Sequence, residues 1–200
     1  MPDHGVALDA LGGVCVACKM CELGFAIDKD SCKPQVAGYY DHMSVLPRYM
    51  VIGPNPGLTD MKEGRPFAGP VGVEFDRALD NYGSKYGITR SKFYMTYMVK
   101  CYAGEVSQHN IDQCGLFLKM EIALLKPKFV VALGDIVASE LCPNSEDNLG
   151  KLITSERYGV KVLRMCYPSP RNLNYDDIRA GFDRDMHRLC ELIFRLECPF

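Results

Sequence analysis

The stretch YMVIGPNPGLTDMKEGRPFAGPVG, residues 49–72, runs from a buried strand through a sharp turn and a loop to the start of a helix. Residues 49–52 are apolar and predict a short strand, which the run GPNPG at 53–57 ends. Asn55 is therefore held between two prolines at the carboxyl end of a strand. Ligands of open α/β sheets bind in the crevice outside such ends, so we expect Asn55 to contact a substrate or to hold a water molecule against one.

The loop that follows carries a second candidate. In the run GRPFAG at 64–69, the aromatic ring of Phe67 stands among small residues, and such a ring can stack on a flat ligand. Gly and Pro clusters after strands also form plain turns, and a loop phenylalanine can simply cover a core. Either run alone therefore leaves both interpretations open.

Apolar strands alternate with amphipathic helices along the rest of the chain. The predicted strands are 49–52, 93–99, 129–133 and 160–166, and the predicted helices are 71–82, 110–126, 135–141 and 176–196. The continuously apolar run FVVAL at 129–133 is typical of a parallel strand buried on both faces. The pattern predicts an α/β fold, a three-layer α/β/α sandwich with a four-stranded parallel sheet, in one domain over residues 1–200.

The remaining segments carry weaker signals. We expect at most a short helix in residues 1–14, a hairpin within 22–45, an N-cap at Asn110 and a loop at 143–157. The chain starts without a basic segment followed by an apolar run, and no stretch approaches the length needed to span a bilayer. These features predict a soluble, intracellular protein without a membrane partner, and they leave its oligomeric state open.

The net charge of −2 is unusual for a protein that grips DNA, because affinity for phosphates comes mainly from Lys and Arg. A DNA-binding surface must then be locally positive. The candidates for that charge are Arg65, Lys92, Lys100, Arg171 and Arg179.

Ten cysteines are many for an intracellular chain of 200 residues, where thiols stay reduced, so metal ligation is the better explanation for some of them. The pair Cys15 and Cys18 has the C-x-x-C spacing that lets two thiolates converge on one metal or cluster, and it forms half a site. Four others lie within apolar patterns and are expected to be small core residues: Cys142, Cys166, Cys190 and Cys198.

Three motifs together resemble the uracil-DNA glycosylase superfamily. They are Gly53-x-Asn55-Pro56-Gly57, Gly64-Arg65-Pro66-Phe67-x-Gly69-x-x-Gly72 and Tyr94-x-Thr96-x-x-Val99-Lys100-Cys101. The second and third are similar to the iron-sulfur family 4 enzymes. The first differs from family 4, which has Glu after the first Gly, and resembles the mismatch-specific and single-strand-selective branches. The resemblance covers residues 15–175.

The resemblance implies an enzyme that flips a base out of single- or double-stranded DNA and hydrolyses the N-glycosidic bond of uracil or a 5-substituted uracil. Phe67 would stack on the base and Asn55 would orient the attacking water. The backbone of the turn at Gly53, Pro54 and Gly57, with a side chain from the loop after the last strand, would stabilise charge on the departing base. In that loop Ser169, Arg171 and Asn172 resemble a minor-groove wedge.

The same resemblance implies a four-iron four-sulfur cluster. Its ligands would be Cys15, Cys18, Cys101 and Cys114, with the Cys-rich segment 15–32 supplying the first two. Cys21 and Cys32 are possible substitutes. A structural zinc ion is the alternative occupant, because four thiolates suit either.

Two departures from family 4 put plain uracil excision in doubt. Tyr97 stands where family 4 has the Asn that reads the uracil edge, and Tyr167 stands where it has a His, which we take as a second catalytic position. A tyrosine offers one hydroxyl at each place. We therefore expect weaker uracil excision or a preference for another pyrimidine, and Tyr97 is equally well explained as a structural core residue.

Two further functions remain open because a fold does not fix its chemistry. One is a transferase that acts on the 5-substituent of a modified thymine or hydroxymethyluracil in viral DNA. The other is a DNA-binding or replication-accessory module without catalysis. The expected location is the cytoplasm or nucleoid, or the infected host if the protein is viral.

Overall fold

The computed structural model describes residues 4–25, 35–41, 46–143 and 151–198. These residues include a five-stranded sheet. Its strands are β1 (Tyr49–Gly53), β2 (Phe93–Tyr97), β3 (Phe129–Leu133), β4 (Leu152–Ser155) and β5 (Val160–Met165). The strand order is β2-β1-β3-β5-β4. β1, β2, β3 and β5 are parallel, as predicted, so their carboxyl ends share one edge of the sheet.

The strand β4 corrects the prediction of a loop over 143–157. It pairs with β5 in antiparallel register, and Gly159 turns the chain between them with a φ of 62°. β4 has four residues and is only partly buried at the sheet edge, so it lacks the long apolar run that marks the other strands.

Seven α-helices cover the sheet. They are α1 (His4–Val16), α2 (Leu58–Glu63), α3 (Pro70–Gly83), α4 (Gln108–Leu125), α5 (Asp135–Leu141), α6 (Pro170–Leu173) and α7 (Asp176–Glu197), among the residues that the structure describes. None of the helices in these ranges has both the length and the apolar content to cross a membrane.

The helix α1 is longer than the short helix expected at the N-terminus. It has 13 residues and packs against α4, burying Leu8, Leu11 and Cys15. Its apolar residues are interrupted by glycines and small residues, so the sequence shows no clear apolar face. Packing against α4 is what stabilises it.

The predicted N-cap of α4 is wrong by three residues. Ser107 is the N-cap, and its hydroxyl accepts a hydrogen bond from the Asn110 backbone N–H at 3.2 Å. Asn110 returns the contact by accepting from the Ser107 N–H at 3.1 Å. Two good capping residues three apart form a reciprocal cap, and the first of them begins the helix.

The core has one layer on each face of the sheet, because alternate residues of each strand point to opposite faces. Tyr49, Val51 and Phe93 pack towards α3 and α7. Met50 and Ile52 pack towards α1, α4 and α5.

The outer edge of β2 is partly covered by residues 35–41, with antiparallel bridges from Gln35 to Cys101 and from Tyr39 to Met95. Much of the hairpin expected within 22–45 lies outside the described residues.

Candidate functional site

The turn after β1 lies beside the segment after β2. The N–H of Met98 donates to the Gly53 carbonyl at 2.7 Å, and the N–H of Val99 donates to the Pro54 carbonyl at 2.9 Å. The parallel register of the two strands, which opposes Gly53 to Tyr97, brings these segments together. The motif around Asn55 and the motif around Tyr97 therefore meet at the carboxyl edge of the sheet.

The Asn55 side chain has one orientation fixed by its neighbours. Its Nδ2 donates to the Ala103 carbonyl at 2.8 Å and to the Pro56 carbonyl at 3.1 Å. Carbonyl oxygens only accept hydrogen bonds, so the amide must present its NH₂ group to them. Oδ1 accepts no hydrogen bond from the described residues, which leaves it able to accept one from a water molecule or a substrate.

Asp60 is the main residue of this site that its sequence pattern did not predict. Its carboxylate is 6% exposed and accepts hydrogen bonds from the N–H groups of Gly57 at 2.7 Å, Ala68 at 2.7 Å and Gly69 at 3.0 Å. It also accepts from the Tyr97 hydroxyl at 2.8 Å. One carboxylate thus joins the turn after β1, the loop before α3 and the end of β2.

A local signal for Asp60 was present in the sequence. An acidic side chain in the first turn of a helix, three residues after a glycine, can reach back to that glycine's N–H. The contacts with Ala68 and Gly69 depend on the path of the loop, so the helix signal alone predicts only part of the role.

Several backbone donors near the turn are already used. Gly57 and Gly69 donate to Asp60, and Gly72 donates to the Gly69 carbonyl at 2.9 Å. The two prolines of the turn have no N–H. Outside the strand, the Asn55 N–H is the donor of this turn that has no partner among the described residues.

Phe67 and Tyr97 form a stacked pair. Their ring centroids are 4.8 Å apart and the planes differ by 19°. Phe67 is 2% exposed, and its backbone has a φ of 54°, in the left-handed region that is uncommon for this residue. Its N–H donates to the Tyr97 hydroxyl at 2.9 Å. The predicted stacking residue is therefore already stacked on an internal ring.

The Phe67 loop is clamped on two sides. Arg90 donates to the carbonyls of Pro66 at 3.0 Å and Phe67 at 3.1 Å, and it pairs with Asp76 at 2.8 Å. On the other side, a Cβ added to Gly72 would lie 1.8 Å from the Phe67 carbonyl oxygen. Only glycine permits this approach of the loop to α3, which explains the Gly at the end of the second motif.

Tyr167 lies in the segment that leaves β5. Burial raises the pKa of Tyr167 to about 12, and the negative charge of Asp60 adds to this rise. Burial and the charge of Asp60 also raise the pKa of Tyr97 far above its ordinary value, with Tyr167 contributing. Both tyrosines thus stay protonated near neutral pH and can donate a hydrogen bond.

The loop after Tyr167 is held by its own polar groups. The Ser169 hydroxyl caps α6 by accepting from the Asn172 N–H at 3.2 Å, and the Asn172 side chain donates to the Tyr167 carbonyl at 3.3 Å. The Arg171 side chain is exposed. The predicted wedge residues therefore form a short helix, with Arg171 as the side chain that points its charge to solvent.

Five cysteines from three segments come together on the face of the sheet that α1 and α4 cover. Burial raises the pKa of the Cys101 thiol to about 12, and the charges of four further cysteines add to the rise: Cys114, Cys21, Cys15 and Cys18. The pKa of Cys15 is likewise raised to about 12 by burial, with Lys100 acting in the opposite direction. The four predicted ligands and Cys21 thus form one group, here called the cysteine cluster. Cys32 lies outside the described residues.

Gln35 fastens the N-terminal part of the cysteine cluster to the segment after β2. Its buried side chain donates to the carbonyls of Cys18 at 2.8 Å and Gly24 at 3.1 Å, while its backbone bridges to Cys101. Gln35 was not predicted as a site residue, because nothing in its local sequence indicates a contact with distant cysteines.

Lys100 is not available to DNA, contrary to the sequence-based expectation. It is 1% exposed, and its Nζ lies 2.6 Å from Oε2 of the buried Glu121. Tyr94 and Thr96 donate to the same carboxylate. A buried lysine needs such a partner, and this pair lies beside the cysteine cluster.

The cysteine cluster offers thiolates, which are ligands of both iron-sulfur clusters and structural zinc ions. Among the described residues, no three His, Cys, Asp or Glu side chains converge closely enough to hold one metal ion. A four-iron cube is wider than one ion and takes four thiolates that stand farther apart. Buried thiols from α1, from the segment after β2 and from α4 are the candidate ligands.

The other cysteines and cations divide between core and surface. Cys142 and Cys190 are buried as predicted, and Cys166 is half-buried. Cys198 is exposed because it follows the last turn of α7, so its assignment to the core was wrong.

The other cations predicted to contact DNA differ in their partners. Lys92 pairs with Glu197, and Arg179 donates to the Leu173 carbonyl. Arg65 is exposed, as Arg171 is.

Comparison with known proteins points to one family. Residues 40–189 match the family model described as the Uracil DNA glycosylase superfamily. The chain is 30% identical over 148 residues to a Type-4 uracil-DNA glycosylase of Pyrobaculum aerophilum, covering 68% of this chain and 74% of that protein. It is 26% identical over 155 residues to the Saccharolobus solfataricus protein of that name (72% and 70%). It is 32% identical over 128 residues to the Thermotoga maritima one (61% and 65%).

Proposed function

Because the chain belongs to the uracil DNA glycosylase superfamily, we propose that it hydrolyses the N-glycosidic bond of uracil, or of a 5-substituted uracil, in DNA. The observation that carries the proposal is the Asn55 side chain at the carboxyl end of β1. Its NH₂ group is engaged with two carbonyls, and its Oδ1 is left for a water molecule. A base flipped out of the DNA would place its sugar at this edge of the sheet.

Asn55 would act by orienting the water. Its Oδ1 accepts a hydrogen bond from the water and directs the oxygen towards C1′ of the deoxyribose. An amide is a poor base, so positioning supplies the rate gain, and the bond breaks readily only when the departing base is stabilised.

The charge that builds on the departing base needs hydrogen-bond donors. The free N–H of Asn55 is one candidate, and the hydroxyl of Tyr167 is the other. A tyrosine whose pKa is raised to about 12 keeps its proton at neutral pH and can donate it in a hydrogen bond to the ring carbonyl. Tyr167 would therefore take the place of the family 4 His.

DNA would be gripped by the exposed cations at the same edge. Arg65 and Arg171 are both exposed, and Ser169 and Asn172 fix the short helix that carries Arg171. This arrangement supplies local positive charge on a chain of net charge −2, as phosphate contacts require.

We also propose that Cys15, Cys18, Cys101 and Cys114 hold a four-iron four-sulfur cluster, with Cys21 as the substitute for one of them. When bound, the cluster would cross-link α1, the segment after β2 and α4 through iron-thiolate bonds. The support is the grouping of these thiols, all buried except that of Cys18, and the Type-4 name of the relatives. The transferase alternative has no support among these relatives, which are named as glycosylases.

The experiment for this function is base excision from an end-labelled oligonucleotide with one uracil. After incubation with the protein, hot alkali cuts the strand at each abasic site. We expect a cut at the uracil and none at the same position when it carries thymine. DNA that stays intact at stoichiometric protein, both with uracil and with hydroxymethyluracil at this position, would contradict the proposal.

A further inference from the structure

Phe67 has no free face against which a base could lie. One face of its ring carries the Tyr97 ring at 4.8 Å, in nearly parallel planes. The ring also lies against β1, since a Cβ added to Gly53 would be 3.0 Å from Cζ of Phe67 and from two carbons of the Tyr97 ring. With Phe67 and Tyr97 each 2% exposed, the place beside Phe67 is filled from within the chain.

We propose that Tyr97 occupies the place of a flipped base in the resting protein, so that a base stacks on Phe67 only after Tyr97 turns away. This inference rests on the proposed function, since a flipped base is its ligand. It makes Tyr97 a specificity-determining residue. The phenol acts as an internal substitute for the base.

The hydrogen bonds of the Tyr97 hydroxyl support this role. The hydroxyl accepts from the Phe67 N–H at 2.9 Å and donates to Asp60 at 2.8 Å. When Tyr97 leaves, it exposes one N–H donor and one carboxylate acceptor side by side. The imide edge of a uracil-type base offers a carbonyl oxygen next to a ring N–H, which pairs with that combination.

Displacing the Tyr97 ring also has a cost for the binding of a flipped base. A base must displace a stacked ring and two hydrogen bonds before it gains its own, so it adds little to the affinity of the wild-type protein for DNA. Removing the Tyr97 ring frees the stacking face and both hydrogen-bonding groups. The base should then contribute its full stacking energy.

The test compares two single-stranded oligonucleotides that differ only at one position. One carries 2′-fluoro-2′-deoxyuridine, whose glycosidic bond resists hydrolysis because fluorine disfavours positive charge on the sugar. The other carries a tetrahydrofuran abasic analogue. Fluorescence anisotropy gives the Kd of each oligonucleotide for the wild type, Tyr97→Ala and a matched control, Phe93→Ala.

Phe93 is a suitable control because it lies on the same face of the same strand and is as buried as Tyr97, but at the opposite end of β2. We expect the wild type and Phe93→Ala to bind both oligonucleotides with similar affinity. Tyr97→Ala should prefer the fluorouridine oligonucleotide by about tenfold or more, the value of one stacked base. The same ratio in Tyr97→Ala and wild type, or an equal gain in Phe93→Ala, would overturn the proposal.

Two further measurements keep the inference separate from the proposed function and from failure to fold. If no variant binds either oligonucleotide, the proposed function fails. Saturation-transfer NMR with free uracil then tests only whether a base can bind beside Phe67. Binding of uracil to Tyr97→Ala but not to the wild type supports the proposal that Tyr97 occupies the place of the base. No binding to Tyr97→Ala overturns that proposal. If Tyr97→Ala does not unfold cooperatively, Tyr97→Asn replaces it under the same criteria.

Discussion

The hydroxyl of Tyr97 lies 2.8 Å from Oδ2 of Asp60, and this contact connects the end of β2 to the first turn of α2. The same carboxylate receives three backbone N–H groups, from the turn after β1 and from the loop before α3. Asp60 is therefore a positioning residue for both predicted motif loops. This one buried side chain connects the two loops to each other.

The substitution Asp60→Ala leaves four donors without their acceptor. We expect it to lower the free energy of unfolding by about 3 kcal/mol, since each unsatisfied buried donor carries a penalty and water will satisfy some of them. Urea unfolding measures the change. Asp135→Ala is the control, because its side chain is 86% exposed and its ion pair with Arg164 contributes about 0.5 kcal/mol or less. Equal stability of Asp60→Ala and wild type would show that Asp60 does not hold the loops.

The substitution Asn55→Ala removes the group that is proposed to orient the water. We expect excision to fall by about 100-fold or more, as for the loss of other preorganised groups in active sites, with an unchanged unfolding curve. Single-turnover excision measures the rate. Asn81→Ala, on the exposed face of α3, should excise at the wild-type rate. Wild-type turnover by Asn55→Ala would remove this residue from the mechanism.

The cysteine cluster predicts a brown protein with an absorbance shoulder near 400 nm and about four irons per chain. Cys18→Ser and Cys101→Ser should each lose most of the iron and the colour, because each removes one thiolate. Cys198→Ser, at the exposed end of α7, should keep both. A colourless wild type with one zinc per chain would contradict the cluster and favour the structural zinc ion.

The buried carboxyl of Asp185 predicts a pH dependence of stability. Burial raises its pKa above the ordinary value of 3.8, although the Cys166 N–H donates to it and two arginines lie nearby. A raised pKa in the folded state means that this carboxyl favours folding most below pH 3.8, and that the benefit is lost as pH rises through the folded pKa. Asp185→Asn, which can still accept from Cys166, should therefore be more stable than wild type at neutral pH.

Thermal unfolding at two pH values tests this sign. The gain of Asp185→Asn should shrink as the pH falls through the raised pKa of the folded state, and it should be gone below about pH 3.8, where the carboxyl is protonated in both states. Asp80→Asn, on the exposed face of α3, should change the midpoint little at either pH. A neutral-pH loss of stability in Asp185→Asn would mean that the arginines outweigh burial.

The parts of the fold that were predicted correctly carry strong local patterns. The apolar runs of β1 and β3 and the periodic apolar face of α7 each identify their element without reference to distant residues. β4 escaped prediction because an edge strand that is half-exposed needs no apolar run. Its pairing with β5 is what defines it.

Some members of the candidate site could be proposed from the sequence, but Asp60, Gln35 and the contacts could not. Asn55 and Phe67 stand out through the unusual Gly and Pro around them, and the cysteines through their spacing. The stack between Phe67 and Tyr97 joins residues 30 positions apart. The hydrogen bond from Gln35 to the Cys18 carbonyl joins residues 17 positions apart, so both contacts depend on tertiary packing. Local sequence contains no record of such contacts.

The most direct test of the proposed activity is the intact mass of defined oligonucleotides after incubation with the protein. They carry one uracil or one hydroxymethyluracil, in single- and double-stranded form. We predict a mass loss that corresponds to replacement of the base by a hydroxyl group on C1′, in at least one of these substrates. An unchanged mass despite tight binding, or a mass gain on the base, would contradict a glycosylase.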